Sequence, residues 1–142
     1  MSAKSDHRAG VFERARREDE LGMVRCYVRR FAVGAGSCGG VLQAAHYIGC
    51  SELRNQRQKM VVSGHRFAPD DPRRNLTTVT LDDLWRDPRN GLVLCLDHHE
   101  LFDGKRPPRR LHLTPPPSVI DFANEYGLRH LVEPTYDERR AV

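Results

Sequence analysis

Lysine is nearly missing from this 142-residue chain: of 23 basic side chains, 20 are arginine and 3 are lysine. Long apolar runs are missing altogether. None approaches the roughly 20 residues that a membrane-crossing helix requires, so no membrane association is expected. The first ten residues, Met1 to Gly10, are polar and contain no apolar stretch; a secretory signal is therefore not expected, and the expected location is the cytoplasm. Hydrophobic residues make up 39% and aromatic residues 7%, which limits the core and makes a staple such as a bound metal valuable. Cysteine is sparse, with Cys26, Cys38, Cys50 and Cys95 the only four. In an intracellular chain these are expected as thiols or metal ligands, and two disulfides are the alternative for an exported one. There is no internal repeat and no appended helix-turn-helix.

What is there is charge of a particular kind. The formal net charge is +4 and the pI is near 9.1. Arginine offers a planar fork of donors that matches phosphate oxygens, so a polyanion, nucleic acid first, is the expected partner. A GC-rich genome would also produce arginine in place of lysine.

Along the chain, residues 1–7 read as disordered and Val11 to Glu20 as a short polar helix. Arg25 to Val33 is mixed and extended, Gly34 to Gly40 is a turn, and Val41 to Tyr47 is a short apolar strand. Ser51 to Lys59 reads as a basic helix and Ser63 to Leu76 as a loop. Thr80 caps a short helix that Asp87-Pro88 breaks. Asn90-Gly91 is a turn signal, and Leu92 to Leu96 is a second strand. Asp97 and Glu100 have capping-box spacing, which starts a helix at Asp97; Gly104 ends it. Pro107 to Pro117 forms a proline-rich connector around the extended trio Leu111-His112-Leu113. Ser118 opens a last helix, which Gly127 closes.

The informative stretches are LQAAHYI, which contains His46, and NGLVLCLDHHELFDG, which contains Asn90 and His99. Taken singly, His46 is an ordinary core residue of a strand, Asn90-Gly91 an ordinary turn, His99 a helix-surface residue and Asp103 a helix-ending one. Taken in order, with strand, turn, strand, helix, and His99 nine positions after Asn90, they resemble the HNH endonuclease family. The resemblance is closest to the branch with Ala-Ala-His, then NGL, an apolar strand, Asp-x-His and LFD. It spans roughly residues 26–104. It implies an α+β fold with a ββα-metal (His-Me finger) core over 25–104, carrying a basic insertion at about 51–89. A tail and short helix at 1–24 and a connector, helix and tail at 105–142 flank that core.

The resemblance implies metal-dependent hydrolysis or nicking of DNA. His46 would be the general base, Asn90 the residue that ties two backbone segments and holds His46, and His99 a ligand of a divalent ion such as Mg²⁺, Mn²⁺, Ni²⁺ or Zn²⁺. Asp103, four residues after His99 on the same helix face, is a candidate second ligand. Many family members carry a metal-binding Asp or His where this chain has Ala45. The shell is then completed by Asp103, Asp97, a residue of the 48–89 segment, or water and phosphate; otherwise the site is degenerate. Cys26, Cys38, Cys95 and His98 resemble a structural zinc set, although the usual C-x2-C of the first pair is here C-x11-C. The alternative for these cysteines, and the expectation for Cys50, is the role of a small buried hydrophobe. Arg54, Arg57, Arg86 and Arg89 lead the candidate phosphate contacts, with a solvated face as the alternative. The compact size resembles HNH proteins of bacteriophages and their hosts, some acting near genome packaging. That suggests a rival: a catalytically weak, zinc-stabilised DNA-binding or packaging accessory module. A third reading is a zinc-stapled interaction protein with no nucleic-acid role.

Overall fold

The computed structural model describes residues 2–28, 37–104, 111–135 and 138. Its centre is a two-stranded antiparallel sheet. Strand β1 (Leu42–His46) pairs with β2 (Gly91–Cys95) in a register that sets Leu42 opposite Cys95 and His46 opposite Gly91. Every residue of β2 is buried, which explains its near-continuous apolar sequence. The helix Leu96–Phe102 follows β2 without a connecting loop. Strand, strand and helix thus make an α+β core of the ββα kind.

The segment between the strands folds back beside this core. Helix Cys50–Ser63 buries Leu53 and Met60. Where a loop was expected over Ser63 to Leu76, a one-turn 3-10 helix at Gly64–Arg66 and a two-turn one at Pro72–Thr77 follow, then the helix Leu81–Arg86 and the turn Pro88–Asn90. At Leu81 the sequence signal is obeyed in full. Thr80 Oγ1 accepts from Asp83 N–H at 3.1 Å, and an Asp83 carboxylate oxygen accepts from Thr80 N–H at 3.4 Å, a reciprocal capping box.

Three further expectations are corrected. The first helix runs Ala3–Glu18 rather than from Val11, and includes most of the segment read as disordered. Ser2 caps it, Asp6 lies in its first turn and Arg16 and Arg17 in its last, all of which suit the helix dipole. The helix after β2 begins at Leu96, not Asp97, because the Cys95 side chain takes the N-cap role and accepts from His98 N–H. The last helix spans Pro117–Glu125, with proline rather than serine at its start, where the missing N–H is no loss. Gly127 does close it, at φ +66°, and Leu128 N–H reaches Ala123 O at 2.8 Å.

In chain order the helices are named α1 (Ala3–Glu18), α2 (Cys50–Ser63), α3 (Leu81–Arg86), α4 (Leu96–Phe102) and α5 (Pro117–Glu125). Helix α1 lies across α3, the Pro88–Asn90 turn and β2. Helix α5 packs on the two turns at 72–77 and 88–90 and contributes Val119, Phe122 and Ala123 to the core. The extended segment at Leu111–Thr114 is anchored by Tyr47 Oη donating to Leu113 O at 2.5 Å and Tyr27 Oη to Thr114 O at 2.6 Å. Among the described residues no helix is long and apolar enough to cross a membrane. Residues 29–36 of the segments expected as extended (Arg25 to Val33) and as a turn (Gly34 to Gly40), and residues 107–110 at the start of the connector expected at Pro107 to Pro117, lie outside the described residues.

Candidate active site and metal centre

Asn90 is fully buried. Its Oδ1 accepts from Ile48 N–H at 2.8 Å and its Nδ2 donates to Ile48 O at 2.9 Å. The Asn90 carbonyl also accepts from Tyr47 N–H at 3.3 Å. One residue therefore clamps the backbone immediately after His46, using the paired donor and acceptor that only an amide side chain offers. Gly91 behaves differently from the sequence signal. Its φ is −156°, which is ordinary extended backbone. A Cβ there would fall 2.4 Å from Val11 Cγ2 and 2.8 Å from His7 Nε2. Glycine is needed because α1 sits against this point, not because the chain turns.

His46, at the end of β1, places Nε2 2.9 Å from the carbonyl of Trp85 on α3. A carbonyl only accepts, so Nε2 carries the hydrogen and the lone pair is on Nδ1. Burial pushes the His46 pKa down and His99 pushes it further; the Trp85 carbonyl and Asp103 oppose. The ring is thus biased to the neutral form, which can take up a proton.

His7, a residue that sequence reasoning missed, stacks on His46 with ring centroids 3.6 Å apart and planes 12° apart. It is 1% exposed, and its Nε2 lies 3.3 Å from Asn90 O. Burial and then His46 lower its pKa from 6.5 to about 4. A helical signal did exist: His7, Gly10, Val11 and Arg14 share one face of α1. Only Val11 on that face is strongly apolar, so hydrophobic periodicity is blind to it.

His99, on α4, places Nδ1 2.7 Å from Gln43 Oε1. The amide oxygen accepts, so Nδ1 donates and the lone pair is on Nε2. That atom lies 3.3 Å from Asp103 Oδ2. Orientation of a ligating histidine by a hydrogen bond at its other nitrogen is a general feature of metal sites. Gln43 was missed as well; its only sign was its place three residues before His46. Asp97, another candidate to complete the shell, lies elsewhere: its N–H donates to Gly39 O at 3.1 Å, and a Cβ on Gly39 would sit 2.2 Å from its Oδ2. Ala45 is fully buried within the hydrophobic core, so this position contributes packing.

A second centre lies at the β2–α4 junction. His98 Nδ1 is 3.1 Å from Cys95 Sγ, 3.5 Å from Cys26 Sγ and 3.7 Å from Cys38 Sγ. One ligand atom from each of these four residues lies within 4.8 Å of every other. Around a tetrahedral zinc, with bonds of about 2.3 Å to sulfur and 2.0 Å to nitrogen, neighbouring ligand atoms would be about 3.5–3.8 Å apart. The donor set and its spacing fit such an ion. Desolvation and the crowding sulfurs of Cys26 and Cys95 push the Cys38 thiol up to about 11, a penalty that a bound cation reverses. Among the described residues no other group of three or more histidine, cysteine or acidic side chains converges in this way. Cys50 is half-buried, at the start of α2 and away from this cluster.

The four arginines fall into two pairs. Arg54 lies over the Trp85 ring at 5.6 Å and Arg57 Nε donates to Val79 O at 3.2 Å. Arg86 pairs with Asp6 at 2.8 Å and Asp83 at 3.1 Å. Arg89 pairs with Asp87 at 2.7 Å and also with Glu125. The second pair is therefore already engaged with carboxylates that join α1, α3 and α5 to the site.

The ββα core thus carries a buried asparagine clamp and two histidines, one on the strand and one on the helix, each with one ring nitrogen held by an oxygen acceptor. The sequence model of the HNH endonuclease family matches residues 25–106, and the chain belongs to that family. HNH endonucleases are nucleases that use a divalent metal. No curated protein and no solved structure matches the chain.

Proposed function

We propose that the chain is a metal-dependent endonuclease that hydrolyses or nicks DNA, with His46, Asn90 and His99 as its active-site residues. One observation carries the reading. Both histidines have one ring nitrogen committed to an oxygen acceptor, Trp85 O and Gln43 Oε1, which supports His46 Nδ1 as the base and His99 Nε2 as the ligand atom.

In this reading His99 and Asp103 hold a divalent ion, Mg²⁺, Mn²⁺, Ni²⁺ or Zn²⁺, which supplies positive charge beside the scissile phosphate. His46 Nδ1 removes a proton from water as its oxygen bonds to phosphorus. The bond from phosphorus to the 3′ oxygen breaks, and that oxygen takes a proton from solvent. Asn90 holds the Tyr47-Ile48 backbone and with it the position of His46. Cys26, Cys38, Cys95 and His98 hold a structural zinc that fixes the start of α4 and so the direction of His99. Arg54 and Arg57 make the phosphate contacts; these read shape and charge rather than sequence and weaken steeply with salt. Arg86 and Arg89, whose charges are already paired, act first in bracing the site.

The test is His46→Ala in nicking of supercoiled plasmid. A fall in rate of roughly a hundredfold or more supports the base assignment; wild-type nicking by a folded variant refutes it. The second reading, a DNA-binding or packaging accessory module without cleavage, is favoured by buried Ala45. With no ligand at that position, His99 and Asp103 form a two-residue shell. Metal-independent DNA binding without cleavage under every ion would select it.

A further inference from the structure

The match to the family covers residues 25–106, so α1 lies outside it. Yet this helix reaches the middle of the proposed active site. Gly10 approaches Pro88 so closely that a Cβ would meet the proline Cβ at 2.6 Å. Arg14 donates to Pro88 O and, at 2.5 Å, to Gly91 O. Val11 sits on Gly91, and Asp6 pairs with Arg86. These contacts deliver one side chain, His7, onto the face of His46.

From this geometry we infer that His7 is a positioning residue for His46, and that α1 is an added clamp that completes the active site from outside the family core. The inference rests on the reading of His46 as the base. A single hydrogen bond, Nε2–H to Trp85 O, leaves an imidazole free to swing about that bond. A second ring stacked at 3.6 Å and nearly parallel removes the swing and fixes the direction of Nδ1. His7 suits the task because it is itself pinned: its Nε2 faces the carbonyl of Asn90, the residue that clamps the backbone after His46. The Trp85 carbonyl, the Asn90 carbonyl and the stack thus lock two imidazoles to one another, to α3 and to the turn before β2. As the His7 ring stays neutral down to about pH 4, it adds no positive charge beside a base that must accept a proton.

The test compares full-length wild type, His7→Ala and His7→Phe, with thermal unfolding to score folding. His7→Ala is expected to lower kcat for plasmid nicking about 10- to 100-fold with KM changed less than about twofold. His7→Phe, which restores a stacked ring, is expected to stay within about threefold of wild-type kcat. In ¹⁵N–¹H imidazole spectra, His46 is expected as a single Nε2–H tautomer in wild type and as an exchanging mixture in His7→Ala. A folded His7→Ala with wild-type kcat, or with the His46 tautomer unchanged, overturns the inference. If His7→Ala does not fold, His7→Phe decides: a folded variant with kcat down more than about tenfold overturns it. If wild type itself nicks nothing under any ion, the endonuclease reading fails on its own, and the imidazole spectra still decide whether His7 holds His46.

Discussion

Asn90 satisfies both edges of its amide on a single residue, Ile48, in a fully buried position. Removing it orphans a backbone donor and acceptor at once. Asn90→Ala is expected to lower stability by about 3 kcal/mol, read by chemical denaturation, and to reduce nicking with it. The stacked histidines make a prediction in pH. His7 ionises near 6.5 when unfolded but at about 4 in the fold, so below pH 6.5 the unfolded chain takes up a proton that the folded chain refuses. Stability is then complete above about pH 6.5, falls as pH drops toward 4, and loses at most about 3 kcal/mol from this group. The lowered His46 acts in the same direction. Denaturation midpoints across that window check the sign. At this scale the sequence was legible where chemistry has a residue type and a spacing: His46, Asn90 and His99 come together around the β1–β2–α4 core. It was illegible where the partner is a backbone atom, as with the Trp85 carbonyl, or where the contact is a stack between residues 39 positions apart, as with His7 and His46.

The elements show why one helix was misread and another was not. Helix α3 carries its own instructions, a threonine cap, an acidic N3 residue and a following Asp-Pro, and these suffice. Helix α1 is polar almost throughout, and its buried face of His7, Gly10, Val11 and Arg14 becomes evident only against Pro88 and Gly91. The Asn90-Gly91 pair was visible as a signal but its physical meaning was not. Gly91→Ala introduces a Cβ against Val11 and His7 with no backbone strain at an extended φ. It is expected to push α1 away, to cost about 1–3 kcal/mol, and to lower nicking as His7→Ala does. Cysteine spacing was legible as a set but not as a geometry, because the long gap between Cys26 and Cys38 hides their convergence. Wild type is expected to carry about one zinc per chain, and a strong chelator or Cys95→Ser to lower Tm by more than about 10 °C. Metal analysis with thermal unfolding checks both.

At the scale of the whole molecule, two centres share α4. His98 turns toward the cysteine cluster, and His99 toward Gln43 and Asp103. Adjacent helix residues point about 100° apart, so one short helix joins the candidate metal cluster to the candidate active site. The charges divide in the same way. Arg86 and Arg89 knit α1 and α5 to the turn before β2 through Asp6, Asp87 and Glu125. Arg54 and Arg57 lie on α2, on the segment between the strands. Part of the arginine content thus serves internal bracing, which net charge alone could not show.

The measurement that bears most directly on the central claim is nicking of supercoiled plasmid by the purified chain. Mg²⁺, Mn²⁺, Ni²⁺ and Zn²⁺ are supplied separately, with EDTA as the control and His99→Ala in parallel. The account predicts nicking that depends on at least one of these ions, stops with EDTA and is abolished in a folded His99→Ala variant. Intact plasmid under every ion, or nicking that His99→Ala leaves unchanged, would contradict it.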